Sequence, residues 1–178
     1  MKQILLFGAG KSATLLIDYL LEPSTDVFAT SKPMILIRGN HEARGSYARE
    51  LPDYFSSPKG QYFYFQHGPV LIIAIDTGED KDDSHSDYAG IIDFNNYREQ
   101  QAVWLEELMQ TDLYKNAKYK VVMMHIPTFY NVEAQGELHC RKLFSPLFDK
   151  YKVDIVISGH IHKHGVYPPV KGVHEYPI

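Results

Sequence analysis

Short apolar runs alternating with polar, glycine-marked breaks set the pattern of this chain. Gln3–Phe7 (QILLF) and Met34–Arg38 (MILIR) each end at a glycine or just before one, as buried strands do. Pro33 suits the first position of the second run, where no ladder donor is needed. Ser12–Leu21 predicts a helix, because Leu15, Leu16, Tyr19 and Leu20 share one face at helical spacing, and Glu22-Pro23-Ser24 closes it. Gln61–Gln66 (QYFYFQ) and Val70–Ile75 (VLIIAI), separated by His67-Gly68-Pro69, predict a hairpin. Residues 78–96 read as a long polar surface loop, followed by a helix over Tyr97–Gln110 with Trp104, Leu105, Leu108 and Met109 on one side. Tyr119–Met124 (YKVVMM) and Val153–Ser158 (VDIVIS) predict two more strands. Between them Leu143, Phe144, Leu147, Phe148 and Tyr151 mark a helix that Pro146 starts or kinks. The closing EYPI reads as the start of a strand. Strands alternating with helices around a central antiparallel pair predict an α/β fold, a layered sheet with flanking helices.

Composition narrows the classes. At 178 residues, 44% hydrophobic and 22% charged, the chain has the size and balance of one globular domain. A net charge of -4 without a lysine- or arginine-rich run gives no electrostatic footprint for nucleic acid or a membrane surface. No apolar run approaches the roughly 20 residues of a membrane span. Lys2 and the apolar stretch after it imitate a signal peptide, but Lys11 interrupts early and no small-x-small cleavage site follows promptly. The N-terminus is therefore read as part of the fold, and a cytoplasmic location is favoured over secretion. Cys140 has no second cysteine to pair with, which permits a reducing compartment.

The nine histidines carry more information through their placement than through their number. Three predicted strands run directly into polar, metal-capable residues: MILIR-GNHE, VVMM-HIP and VIS-GHIH. In layered α/β folds ligands collect beyond the carboxyl ends of strands, so Asn40, His41, His125, His160 and His162 can meet although they are distant in sequence. Imidazole nitrogens and an amide oxygen suit zinc, manganese or iron rather than calcium. Isolated histidines such as His67, His85, His139 and His174 are read instead as surface or hydrogen-bonded residues. A single strand-end histidine would be weak support, and the three segments together make the argument.

Gly39-Asn40-His41-Glu42, His125 and Gly159-His160-Ile161-His162, in this order, resemble the later motifs of the calcineurin-like metallophosphoesterases. The resemblance covers roughly residues 27–178, and FATSKPMILIRGNHEARGSYA leans toward the purple-acid-phosphatase-like side of that superfamily. It implies a metallophosphoesterase-like sandwich and metal-dependent hydrolysis of a small phosphoester, with one or two Mn, Fe or Zn ions. Asn40, His125 and His160 would bind one ion and His162 the second, while His41 would protonate the leaving oxygen or stabilise developing charge. Two close cations clamp phosphate and generate hydroxide at neutral pH, and an imidazole with a pKa of about 6.5 then donates a proton. Arg38 and Arg44 flank the first motif as candidate phosphate contacts, Glu42 as support for the ligands, and Asp76 as a structural loop carboxylate.

Two family motifs, Asp-x-His and Gly-Asp-x-x, which provide further ligands and the carboxylate bridging both ions, are not found before Asn40. The reading is therefore a sandwich truncated at both ends, with a site completed by a partner chain or else catalytically impaired. In their place Gly8-Ala9-Gly10-Lys11-Ser12 follows the first strand. A Walker loop fails, since Leu5 stands where its first glycine belongs. Gly8, Gly10 and Ala13 satisfy a dinucleotide loop, and these first 22 residues resemble the Rossmann opening of saccharopine-dehydrogenase-like proteins. Arg38 stands where that pattern wants an acidic ribose contact and suggests at most a 2′-phosphate. The expected organisation is a Rossmann-like βα segment over 1–23 and a partial metallophosphoesterase domain over 24–178. The competing functions are a non-catalytic metal-binding or interaction protein and an NADP-linked oxidoreductase fragment.

Overall fold

The apolar runs build a sheet whose central strands bury residues on both faces. A computed structural model describes residues 5–8, 34–54, 60–129 and 134–178. The helix expected over Ser12–Leu21, the glycine loop beyond Gly8 and the proposed junction near Pro23 lie outside those residues. Within them, β1 (Leu5–Gly8) and β2 (Met34–Ile37) pair in parallel, Leu5 beside Met34 and Gly8 beside Ile37. A four-stranded sheet follows in the order β3 (Phe63–His67), β4 (Val70–Ile75), β5 (Tyr119–Met124) and β6 (Ile155–Ser158). The first pair is the expected antiparallel hairpin, turned at Gly68 with φ 56°, whereas β4–β5 and β5–β6 are parallel.

Helices cover one face of this sheet. The long ones are α1 (Phe94–Gln110) and α3 (Gln135–Tyr151), with the short α2 (Asp112–Asn116) between them. Leu71, Ile73 and Ile75 of β4 and Val122 and Met124 of β5 point into a core shared with Leu105, Leu108, Met109, Cys140, Phe144 and Phe148. Their neighbours Ile72, Ala74 and Met123 point the other way and pack with Ile37 at the end of β2. The period of two thus places helices on one side and the small sheet on the other. Each large apolar side chain sealed from water contributes on the order of 1.5–3 kcal/mol.

Three expectations need correction. Residues 78–96 are not simply a surface loop: Glu79 and Tyr88 are buried, and Asp83 accepts the backbone N–H groups of Phe94 and Asn95 at 3.1 and 2.8 Å. That cap starts α1 three residues earlier than its apolar pattern indicates. Pro146 does not start α3, the first of its two expected roles, because the helix runs through it from Gln135 to Tyr151. EYPI does not form a strand. Instead Tyr176 enters the core, Pro177 accepts a hydrogen bond from Val156 N–H, and Ile178 and Tyr167 bond reciprocally. No helix among the described residues is long and apolar enough to cross a membrane.

Candidate metal centre at the strand ends

All three predicted strand-end motifs emerge on the same side of the fold. Beyond β2 the chain makes a tight 3-10 turn over His41–Ala43, in which Glu42 turns back to accept Gly39 N–H at 3.1 Å. This points Glu42 at the backbone that carries Asn40. Burial raises the Glu42 carboxyl pKa, opposed by its backbone hydrogen bonds and by nearby His41 and Arg38. Beyond β5 and β6, Gly159 N–H donates to the carbonyl of His125 at 3.0 Å and extends the parallel pairing past Met124 and Ser158. A Cβ at Gly159 would lie 3.3 Å from His125 Nδ1, so the glycine permits this close passage. His160 and His162 then take left-handed backbone angles, φ 69° and 51°, which turn the GHIH segment sharply.

The result is a meeting of three lone-pair atoms. His125 Nε2 lies 3.0 Å from Asn40 Oδ1 and 3.4 Å from His160 Nδ1, with the two imidazoles edge to face at 5.2 Å between centroids. Asn40 and His125 are buried, and His160 is half-buried. One proton on His125 Nε2 cannot serve both acceptors. Burial, and then the neighbouring His160, His41 and His162, push the His125 pKa down to about 4, so its imidazole is neutral at pH 7. Burial also lowers the His160 pKa, partly offset by Asp80. Neutral imidazoles and an amide oxygen are the protonation states a transition metal requires. Two donors each about 2.1 Å from one ion stand about 3.0 Å apart at a right angle and about 3.4 Å apart at the tetrahedral angle. The donors therefore suit a metal ion in chemistry, and the Asn40–His125 and His125–His160 separations match that spacing.

The other candidates are placed differently. His41 and His162 are exposed. Among the described residues, no group of three or more His, Cys, Asp or Glu side chains is arranged to hold a metal. The converging set is two histidines and an amide. Arg38 and Arg44, which flank the first motif either as phosphate contacts or as ordinary exposed arginines, are held by carboxylates. Arg38 pairs with fully buried Asp76 at 2.5 Å, and Arg44 grips buried Glu79 through Nε and, at 2.5 Å, through its second nitrogen. Asp76 has the structural role expected of it, also accepting from Gly78 N–H at 3.1 Å and from the Tyr97 hydroxyl at 3.2 Å.

Sequence reasoning missed the group that fixes these carboxylates. Gln101 of α1 brackets Asp76, donating to its carbonyl at 2.8 Å and accepting its N–H at 3.0 Å. Arg98, wholly buried, donates to the carbonyls of Thr77, at 2.8 Å, and Glu79. Ile126 N–H reaches Thr77 Oγ1 at 3.1 Å, and Gly136 N–H reaches the Asp80 carbonyl at 2.8 Å. The signal was present. Arg98 and Gln101 continue the buried stripe of Leu105 and Leu108 at helical spacing, so two polar residues occupy core-facing positions.

The chain thus combines a mixed α/β fold with two histidines and an asparagine gathered beyond strand ends. The family model for calcineurin-like phosphoesterases matches residues 8–164, and the chain belongs to that family. The match begins at Gly8 and so takes in most of the segment expected to be a Rossmann-like unit, an expectation that is not confirmed. Among relatives, the chain is 24% identical over 139 residues to serine/threonine-protein phosphatase CPPED1 of Pongo abelii, covering 74% of this chain and 42% of that protein. It is 29% identical over 142 residues to purple acid phosphatase 1 of Ipomoea batatas, covering 75% of this chain and 28% of that one. A shorter stretch of 66 residues is 41% identical to phosphoenolpyruvate phosphatase of Allium cepa, 35% of this chain and 13% of that one. The chain thus matches less than half the length of each of these relatives.

Proposed function

We propose that this chain hydrolyses small phosphate esters with transition-metal ions held at the ends of β2, β5 and β6. The observation that carries the reading is the convergence of Asn40 Oδ1, His125 Nε2 and His160 Nδ1 at 3.0 and 3.4 Å. Asn40, His125 and His160 hold one ion, of manganese, iron or zinc, and His162 serves a second. When bound, such ions bind phosphate oxygens and lower the pKa of a coordinated water. The chain's own residues then do three things. Burial keeps His125 neutral and available as a donor. The Glu42–Gly39 hydrogen bond fixes the turn that presents Asn40. His41, exposed beside Asn40, donates a proton to the departing alkoxide oxygen.

Turnover of p-nitrophenyl phosphate and bis-p-nitrophenyl phosphate in manganese tests this reading directly. Hydrolysis of an alkyl phosphate, whose leaving oxygen needs the proton, falling about 10²-fold or more in His41→Ala with metal binding retained supports it, with a smaller loss on the p-nitrophenyl esters. Absence of turnover with manganese, iron or zinc rejects the hydrolase reading.

A further inference from the structure

The two arginines that flank Asn40 are the means by which its loop is held in place. Arg38 lies two residues before Asn40 and Arg44 four after it, and both reach the segment that follows β4. Their partners there are Asp76 and Glu79, respectively 0% and 1% exposed. The receiving segment is itself fixed on three sides. Arg98 and Gln101 of α1 hold its backbone, Ile126 beyond His125 donates to Thr77, and the start of α3 packs so tightly that a Cβ at Gly136 would meet the Glu79 carbonyl at 2.6 Å. Glu79 is further held by the Tyr88 hydroxyl at 3.1 Å. A turn with few buried apolar residues of its own is thereby fastened at both ends to a rigid platform. The same platform is tied through Ile126 to the segment that bears His125.

We propose that Arg38–Asp76 and Arg44–Glu79 act as a paired clamp that sets Asn40 Oδ1 against His125 and so preorganises the metal centre. This rests on the metal reading above and assigns both arginines as positioning residues rather than phosphate ligands. The Arg44–Glu79 pair is bidentate, which supplies orientation that a lysine point charge does not. Residues that orient metal ligands typically change affinity by about 10–100-fold when lost.

The test uses the whole chain and the variants Arg44→Met, Arg44→Lys, Glu79→Gln and the double Arg44→Met/Glu79→Gln. Arg44 is partly exposed, so its replacements spare the core. Two readouts are taken: amide hydrogen exchange of residues 39–44 in metal-free protein, and Zn²⁺ affinity by chelator competition. The clamp predicts faster exchange confined to residues 39–44 and Zn²⁺ affinity reduced about 10-fold or more in each of Arg44→Met and Glu79→Gln. The double variant should lose little beyond either single change, and Arg44→Lys should recover only part. Unchanged exchange overturns the clamp whether or not metal binds. Faster exchange with wild-type Zn²⁺ affinity overturns its positioning role. Failure of the wild-type chain to bind Zn²⁺, by contrast, rejects the metal reading and with it the clamp's purpose.

Discussion

Gly159→Ala is a sensitive probe of how closely the strand-end segments must approach. Its φ lies outside the left-handed region, so alanine meets no backbone penalty there and gains stiffness in the unfolded chain, worth about 0.4–1 kcal/mol where no clash intervenes. The obstacle is local. The new Cβ would sit 3.3 Å from His125 Nδ1 and 3.7 Å from its Cε1. Ordinary carbon contacts begin near 3.5 Å, so the imidazole or the Gly159 backbone must give way by a few tenths of an ångström. Metal–ligand distances tolerate only about 0.2 Å, so a displacement of that size is enough to spoil Nε2 as a donor. The expected outcome is a loss of Zn²⁺ affinity of about 10-fold, comparable with loss of an orienting neighbour, while the urea midpoint of the metal-free protein moves by less than ~1 kcal/mol equivalent. Chelator competition and equilibrium unfolding, run on the same preparations, separate the two effects. Wild-type affinity in Gly159→Ala would refute the claim that His125 is held by close packing against this segment.

Other consequences follow from the same packing. Phe144→Ala, which removes a ring with no solvent exposure from the centre of the helix-side core, should cost about 3–5 kcal/mol in equilibrium urea unfolding. Cys140 is fully buried, and burial pushes its thiol pKa up to about 12. The native chain at pH 8.5 should therefore resist iodoacetamide and react only once unfolded, as intact mass measurement can follow. Gly136→Ala must move either α3 or the Glu79–Asp80 backbone. It should lower the melting temperature, whereas an alanine inside a helix would ordinarily raise it.

How much was legible beforehand depended on the kind of signal each residue gives. VLIIAI and the VVMM end of YKVVMM declared themselves as strands because a segment buried on both faces is apolar there, and the structure uses both faces. Asn40, His125 and His160 were legible as a group because each stands one or two residues beyond a predicted strand. Their ordering around one point was not, since it depends on the parallel register of β5 and β6 and on the left-handed turn at His160. Residues 78–96 looked like solvent-exposed loop because they are polar. Polarity there serves buried ion pairs and a helix cap, which local sequence cannot distinguish from hydration. The carboxylate partners of Arg38 and Arg44 were hidden for the same reason. A flanking arginine looks alike whether its partner is a phosphate or a carboxylate dozens of residues away. The start of α1 was missed because its cap, Asp83, lies eleven residues upstream of Phe94 rather than at the adjacent position where capping signals are sought.

The account turns on whether Asn40, His125 and His160 hold metal together. Metal content of the full chain, purified without chelator and then titrated with Zn²⁺, is compared with that of His125→Ala. The account predicts at least one tightly held ion per chain in the wild type and loss of that ion in the variant, whose fold is retained by far-ultraviolet circular dichroism. A wild-type chain that neither carries nor takes up metal, or a His125→Ala chain that binds it equally well, would contradict it.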